Sequence, residues 1–193
     1  LAELDRIADD IRAALGWLLA DPTQSVDEGD HLALRTSVAL GRAWYLHGRA
    51  REAVDYLDRA LAVDTSAPPG LIADALHLSG VMHDELRDPA MARERLEASL
   101  ALQRSIGNGR RIARELNSLG VVARNSGDTD RATALLEESL AMRRALGDEP
   151  GTATTLSNLG VDAWVVIGIL AIMFVISFMI MISKAAMLNR VSK

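Results

Sequence analysis

Gly80, Gly120 and Gly160 each close the phrase Leu-x-x-[Leu/Ser]-Gly and stand at equal intervals along the chain. A phrase that returns so regularly commits a chain to stacked copies of one supersecondary unit, since a single copy cannot bury its apolar face alone. The register extends beyond the glycines. Leu76, Gly80, Ala92, Leu96, Ser99 and Gly107 stand opposite Leu116, Gly120, Ala132, Leu136, Ser139 and Gly147, every pair separated by 40. Gly41, Ala53, Leu57 and Ala60 hold the places corresponding to Gly80, Ala92, Leu96 and Ser99, each offset by 39.

Within each copy the larger apolar residues recur at spacings of three and four, the stripe of an amphipathic helix, and small residues stand where two helices approach closely. Each copy therefore reads as helix A, turn, helix B. Gly48-Arg49, Asp88-Pro89 and Ser126-Gly127-Asp128 separate A from B, while Ser66 to Gly70, Gly107 to Gly109 and Gly147 to Gly151 separate the copies. Proline lacks an N–H and glycine readily takes positive φ, so both residues end helices. Leu4 to Leu19 forms one more amphipathic stretch, closed by Asp21-Pro22 and followed by a polar, acidic loop to Asp30.

Small residues at the eighth, twentieth and twenty-seventh places of a unit, here Gly120, Ala132 and Ser139, resemble the tetratricopeptide repeat. The length of the period, the phrase Leu135 to Ala141 with Leu146-Gly147-Asp148, and the opening Ile11 to Leu18 are similar to the C-terminal repeats of bacterial AfsR-type and LuxR-type signal-transduction ATPases. This resemblance implies an all-α, right-handed superhelix of helical hairpins. The expected units are 31–70, 71–110, 111–150 and a partial 151–162, after a lead-in helix and loop at 1–30. In such arrays helix A lines a concave surface through the second, fifth, ninth and twelfth places of each unit. Those places are Arg35, Val38, Arg42 and Tyr45, then Asp74, His77, Val81 and Asp84, then Arg114, Asn117, Val121 and Arg124. The resemblance marks Arg35, Arg42, Tyr45, His77, Arg114, Asn117 and Arg124 as candidate partner-binding residues. Arginine grips a carboxylate with two parallel hydrogen bonds, and an asparagine satisfies a peptide N–H and C=O together.

After Gly160 the repeat gives way to an uncharged apolar run from Ala163 to Ile182. Twenty helical residues rise about 30 Å, the thickness of a bilayer's hydrocarbon layer, which predicts a transmembrane helix over 163–183 and a basic tail over 184–193. The run through Val191 resembles the first membrane helix of MotA/TolQ/ExbB-type proton-channel proteins. Lys184, Arg190 and Lys193 follow the run and only acids precede it closely, which would place the repeats outside the cytoplasm by the charge rule. A long domain ending in such a run with a short tail reads instead as a tail anchor with cytoplasmic repeats. The expectation is a single-pass membrane protein with the repeats in the cytoplasm. Leu1 in place of an initiator Met, with no signal-peptide pattern after it, suggests a fragment.

The charge pattern argues against several functions. Residues 1–162 carry all 26 acids against 18 arginines and no lysine, so bulk charge does not favour nucleic acid. There is no cysteine, hence no thiol nucleophile and no thiolate metal site. His77 and His83 lie six apart on one helix, not at the four-residue spacing of paired metal ligands. Gly107-Asn108-Gly109 lacks the strand and the Lys-Ser/Thr of a phosphate loop. No cofactor and no catalysis are expected. The function expected is a non-enzymatic scaffold that holds a partner protein or peptide in its groove at a lipid bilayer. The resemblances also imply two alternatives: a regulatory fragment of a signalling ATPase with a fused hydrophobic tail, or the extracytoplasmic part of a proton-channel subunit.

Overall fold

The computed structural model describes residue 10 and residues 13–20, 31–160 and 172–173. A lead-in helix, α1, covers 13–20. Within residues 31–160 seven helices follow: α2 (Leu32–Leu46), α3 (Ala50–Val63), α4 (Pro69–Glu85), α5 (Pro89–Ile106), α6 (Gly109–Asn125), α7 (Thr129–Ala145) and α8 (Glu149–Leu159). They pair as α2/α3, α4/α5 and α6/α7, and α8 stacks on α7.

Why each helix begins where it does is clear from its first residues. Asp88, Asn108, Asp128 and Asp148 recur at even spacing, one before each helix from α5 to α8, and each side chain accepts the N–H of the residue three on, at 3.2, 3.3, 3.2 and 3.2 Å. Such caps satisfy one of the backbone donors that a helix start leaves open. Pro69 and Pro89 follow Pro68 and Asp88 at the first helical position, where a missing N–H costs nothing. At the other ends Gly107, Gly127 and Gly147 take φ of 76°, 83° and 65°. Arg87 occupies the place of Gly127 one unit earlier and adopts φ 61°, a conformation that costs an ordinary residue about 1–2 kcal/mol.

The two helices of a unit meet at the repeated glycine. A Cβ on Gly120 would lie 2.7 Å from Leu136 Cγ and 3.3 Å from the Ala132 carbonyl oxygen; one on Gly80 would lie 2.7 Å from Leu96 Cγ and 3.1 Å from the Ala92 oxygen. Helix A therefore rests on the small residue and the leucine of helix B, with no room for even one methyl group. A buried serine locks the same joint. Ser99 Oγ donates to the Ala73 carbonyl at 2.8 Å, and Ser139 Oγ to that of Ala113 at 2.7 Å. Unit one departs from this scheme, because Ala60 stands where these serines stand and Gly41 faces Leu78 of α4. Its helices are joined instead by Trp44 stacked on Tyr56, with centroids 5.3 Å apart.

The core runs along the array as adjoining clusters. Leu15, Trp44, Ala53 and Met82 form one, Leu19, Leu34, Leu57 and Ala75 another, and Leu96, Leu100, Leu116, Leu119 and Val122 a third. Leu15 and Leu19 bring α1 into this core. The A helices α2, α4, α6 and α8 pack directly on one another in sequence, whereas successive B helices are bridged by long side chains, Arg95 to Asp58, Arg131 to Glu97 and Arg104 to Glu138. The array therefore closes toward its A side, which is the inner face.

One place departs from the repeat register and one expectation is corrected. The register equates Gly160 with Gly80 and Gly120, which lie inside helices, but Gly160 takes φ 70° and ends α8. The expectation of a single-pass membrane protein is overturned, since no helix among the described residues is long and apolar enough to cross a membrane. These helices are amphipathic: α5, the longest at 18 residues, carries Arg93, Glu94, Arg95, Glu97 and Arg104. The expected span at 163–183 lies, apart from Ile172 and Met173, outside the described residues, as does the tail at 184–193.

Two substitutions test this packing. Gly120→Ala gains about 1 kcal/mol of helix propensity but forces a methyl into Leu136, an overpacking that costs about 1–3 kcal/mol. Urea unfolding is expected to show a net loss of up to roughly 2 kcal/mol. Arg87→Gly relieves the left-handed arginine and is expected to raise stability by about 0.5–1 kcal/mol, read as a higher denaturation midpoint at unchanged slope.

Candidate functional site

On the inner face, Val38 and Tyr45 of α2, Asp74, His77, Leu78, Val81 and Met82 of α4, and Arg111 and Arg114 of α6 surround one depression of about 490 Å³. Its two walls differ in kind. Val38, Leu78, Val81 and Met82 are apolar, while the opposite wall is a charged cluster that joins α4 to α6.

That cluster is built around Glu115, whose side chain is 0% exposed. Its Oε2 lies 2.7 Å from His77 Nδ1, and its Oε1 accepts from Arg114 Nη2 at 2.8 Å. A second hydrogen bond runs from Arg114 Nη2 to Asp74 Oδ1 at 3.2 Å, and Arg111 pairs with the same carboxylate oxygen. Two arginines thus offset two acids, but they do not share the surface equally. The Arg111 and Arg114 side chains are 38% and 36% exposed, against 23% for Asp74 and none for Glu115. The acids form the floor and the guanidinium groups the rim. Burial, then the charge of Arg114, lowers the pKa of Arg111.

Similar bonds join every adjacent pair of A helices. The Tyr45 hydroxyl reaches Glu85 at 3.5 Å, Asn125 donates to Asp84 at 2.9 Å, and Asn158 Nδ2 donates to Asn117 Oδ1 at 3.1 Å. Arg124 Nη1 donates to the Asn158 carbonyl at 2.6 Å. The inner polar residues are therefore engaged between units before any partner arrives. Burial, then Glu85, raises the pKa of Tyr45.

Of the candidates that the sequence nominated, Tyr45, His77 and Arg114 meet in the depression. Asn117 and Arg124 are drawn instead to α8 through Asn158. Arg35 is exposed on α2 and does not line the depression. The side chain of Arg42 lies outside those described. Arg111 and Glu115 were missed, because neither falls on the second, fifth, ninth or twelfth place of its unit. A sequence signal for Glu115 existed in an acid placed almost one full repeat after His77. Among the described residues no group of three or more His, Asp or Glu side chains converges as metal ligands would.

Stability should register the floor of the site. Arg114→Ala leaves a buried carboxylate with His77 as its remaining partner, and the unfolding free energy is expected to fall by roughly 1–3 kcal/mol. A denaturant titration of the variant that overlays the unsubstituted protein would refute the role given to Arg114 in the cluster.

Residues 71–145 match the tetratricopeptide repeat family model. Among solved structures, the chain is similar to BtubC (BKLC) from P. vanneervenii, with TM-score 0.66 and 22% identity over 83% of this chain and 68% of that one. It is also similar to MamA, with TM-score 0.55 and 21% identity over 83% of this chain and 81% of that one. A third match is a putative kinesin light chain with nearly identical TPR-like repeats from Podosopora anserina, with TM-score 0.60 and 19% identity over 82% and 80%. Comparison with curated proteins gives no sequence match. The array is thus a tetratricopeptide-type fold of helical hairpins. The resemblances to signal-transduction ATPases and to a proton-channel helix gain no support from these matches.

Proposed function

We propose that the protein is a non-enzymatic interaction scaffold whose inner depression holds a short extended peptide of a partner protein, with a carboxylate beside an apolar side chain. The observation that supports this reading most is the pairing of walls across one depression, apolar from Val38, Leu78 and Val81 and cationic at the rim from Arg111 and Arg114. A partner carboxylate meets guanidinium N–H groups already held in place by Asp74 and Glu115, so little side-chain entropy is lost on binding. The adjacent apolar side chain is covered by α2 and α4. His77 and Tyr45 line the same path, and Arg35, Asn117 and Arg124 lie along its extensions on α2 and α6. The tetratricopeptide fold fits the reading, since such arrays present extended inner surfaces to partners; the fold alone does not choose the partner.

Selection of a random peptide library on the immobilised protein tests the proposal. Enriched peptides are expected to place Asp or Glu next to an aliphatic or aromatic residue, and Arg111→Glu is expected to weaken their binding by about tenfold or more through like-charge repulsion. Enriched peptides that bind the Arg111→Glu variant as tightly as the unsubstituted protein would remove the depression as the site.

A further inference from the structure

We infer that Glu115 is a positioning residue for this groove: it fixes the ring of His77 so that Nε2 is the nitrogen offered to a partner, making capture of a carboxylate dependent on protonation of that ring. The inference rests on the groove reading above and adds a chemical preference to it.

The geometry favours one assignment for the ring. Arg114 places two guanidinium N–H donors on Glu115 Oε1, which favours the ionised carboxylate, and an ionised Oε2 accepts from the His77 nitrogen 2.7 Å away, which is Nδ1. A neutral ring with its proton on Nδ1 presents a lone pair at Nε2, which has no partner among the described residues. The imidazole lines the depression and is 13% exposed, so Nε2 is the ring's contact with an incoming peptide. In the neutral state it accepts a hydrogen bond, which suits a backbone N–H or a hydroxyl. Once protonated it becomes a donor with a full charge, and the groove prefers a carboxylate there. Histidine is the side chain that gains charge between about pH 5 and 8.

The charged groups around the ring decide the sign. Asp74 on α4 is shared by Arg111 and Arg114 of α6, and Glu115 on α6 is shared by Arg114 and the ring itself. From α2 the depression receives Tyr45, whose hydroxyl turns to Glu85 of α4. With His77 neutral the two arginines and two acids cancel; protonation leaves the cluster one positive charge in excess, facing the groove. Carboxylate binding therefore strengthens as pH falls. Substitution of Glu115 by an uncharged side chain removes the constraint on the tautomer.

Two measurements decide it. Long-range nitrogen–proton NMR of the histidine rings, with His77 assigned by its loss in His77→Gln, is expected to show Nδ1 protonated and Nε2 free at pH 8. Glu115→Gln should give a mixture of tautomers at that ring. Binding of the probe peptide acetyl-Leu-Asp-Leu-Asp-amide by calorimetry is expected to tighten at least about fivefold from pH 7.5 to 5.5, a typical size for coupling between two sites. Over that range the probe's aspartates stay ionised. His77→Gln keeps a donor for Glu115 but cannot gain charge, and should bind equally at both pH values. A proton on Nε2 rather than Nδ1, or a probe that does not bind at pH 5.5, overturns the inference. A probe bound equally tightly at both pH values by the unsubstituted protein overturns it too, while leaving the groove reading intact.

Discussion

The contact between helix A and helix B at Gly80 and Gly120 governs the rest of the structure. A glycine inside a helix sacrifices about 1 kcal/mol of propensity relative to alanine, and the only return is proximity. Here that proximity seats Leu96 and Leu136 against the opposite backbone and carries Ser99 and Ser139 to the carbonyls of Ala73 and Ala113. Two rigid hairpins result, and their stacking sets the angle at which successive A helices meet. The inner face owes its shape to a clearance of less than one methyl group.

Polar side chains then hold the hairpins in register. Asp74 with Arg114, His77 with Glu115, Asp84 with Asn125 and Asn117 with Asn158 all pair residues 38 to 41 apart, one repeat along the chain. In an array whose stability is a sum over neighbouring units, such bonds act at the interfaces where cooperativity is set. The Asp84–Asn125 bond is exposed and contributes little; Glu115 matters most, because an unpartnered carboxylate at that depth would be strongly destabilising. The groove is a by-product of this stitching: acids below, guanidinium groups above, and apolar side chains from α2 and α4 beside them.

The sequence was most legible where geometry repeats. Units two and three share glycine, alanine, leucine and serine at the joint, and the hairpins, turns and inner helix face follow from that register. Unit one was harder to read, since its joint uses Trp44 and Tyr56 and its Gly41 serves a contact to the next unit. Gly160 misled because an identical phrase has a different outcome there: Gly80 and Gly120 lie inside helices, whereas Gly160 takes a positive φ and caps α8. The candidate site was half visible. Tyr45, His77 and Arg114 were reachable from the repeat register, whereas Arg111 and Glu115 act through a tertiary pairing that no place in a single unit reveals.

The central claim is that the inner face of the A helices, at the junction of the first three units, is where a partner is held. Amide chemical-shift mapping with a peptide selected on the protein addresses it directly. The account predicts that the largest shifts fall on α2, α4 and α6, centred on His77, Val81, Arg111 and Arg114. Shifts centred on the outward helices α5 and α7, with those four residues unmoved, would contradict it.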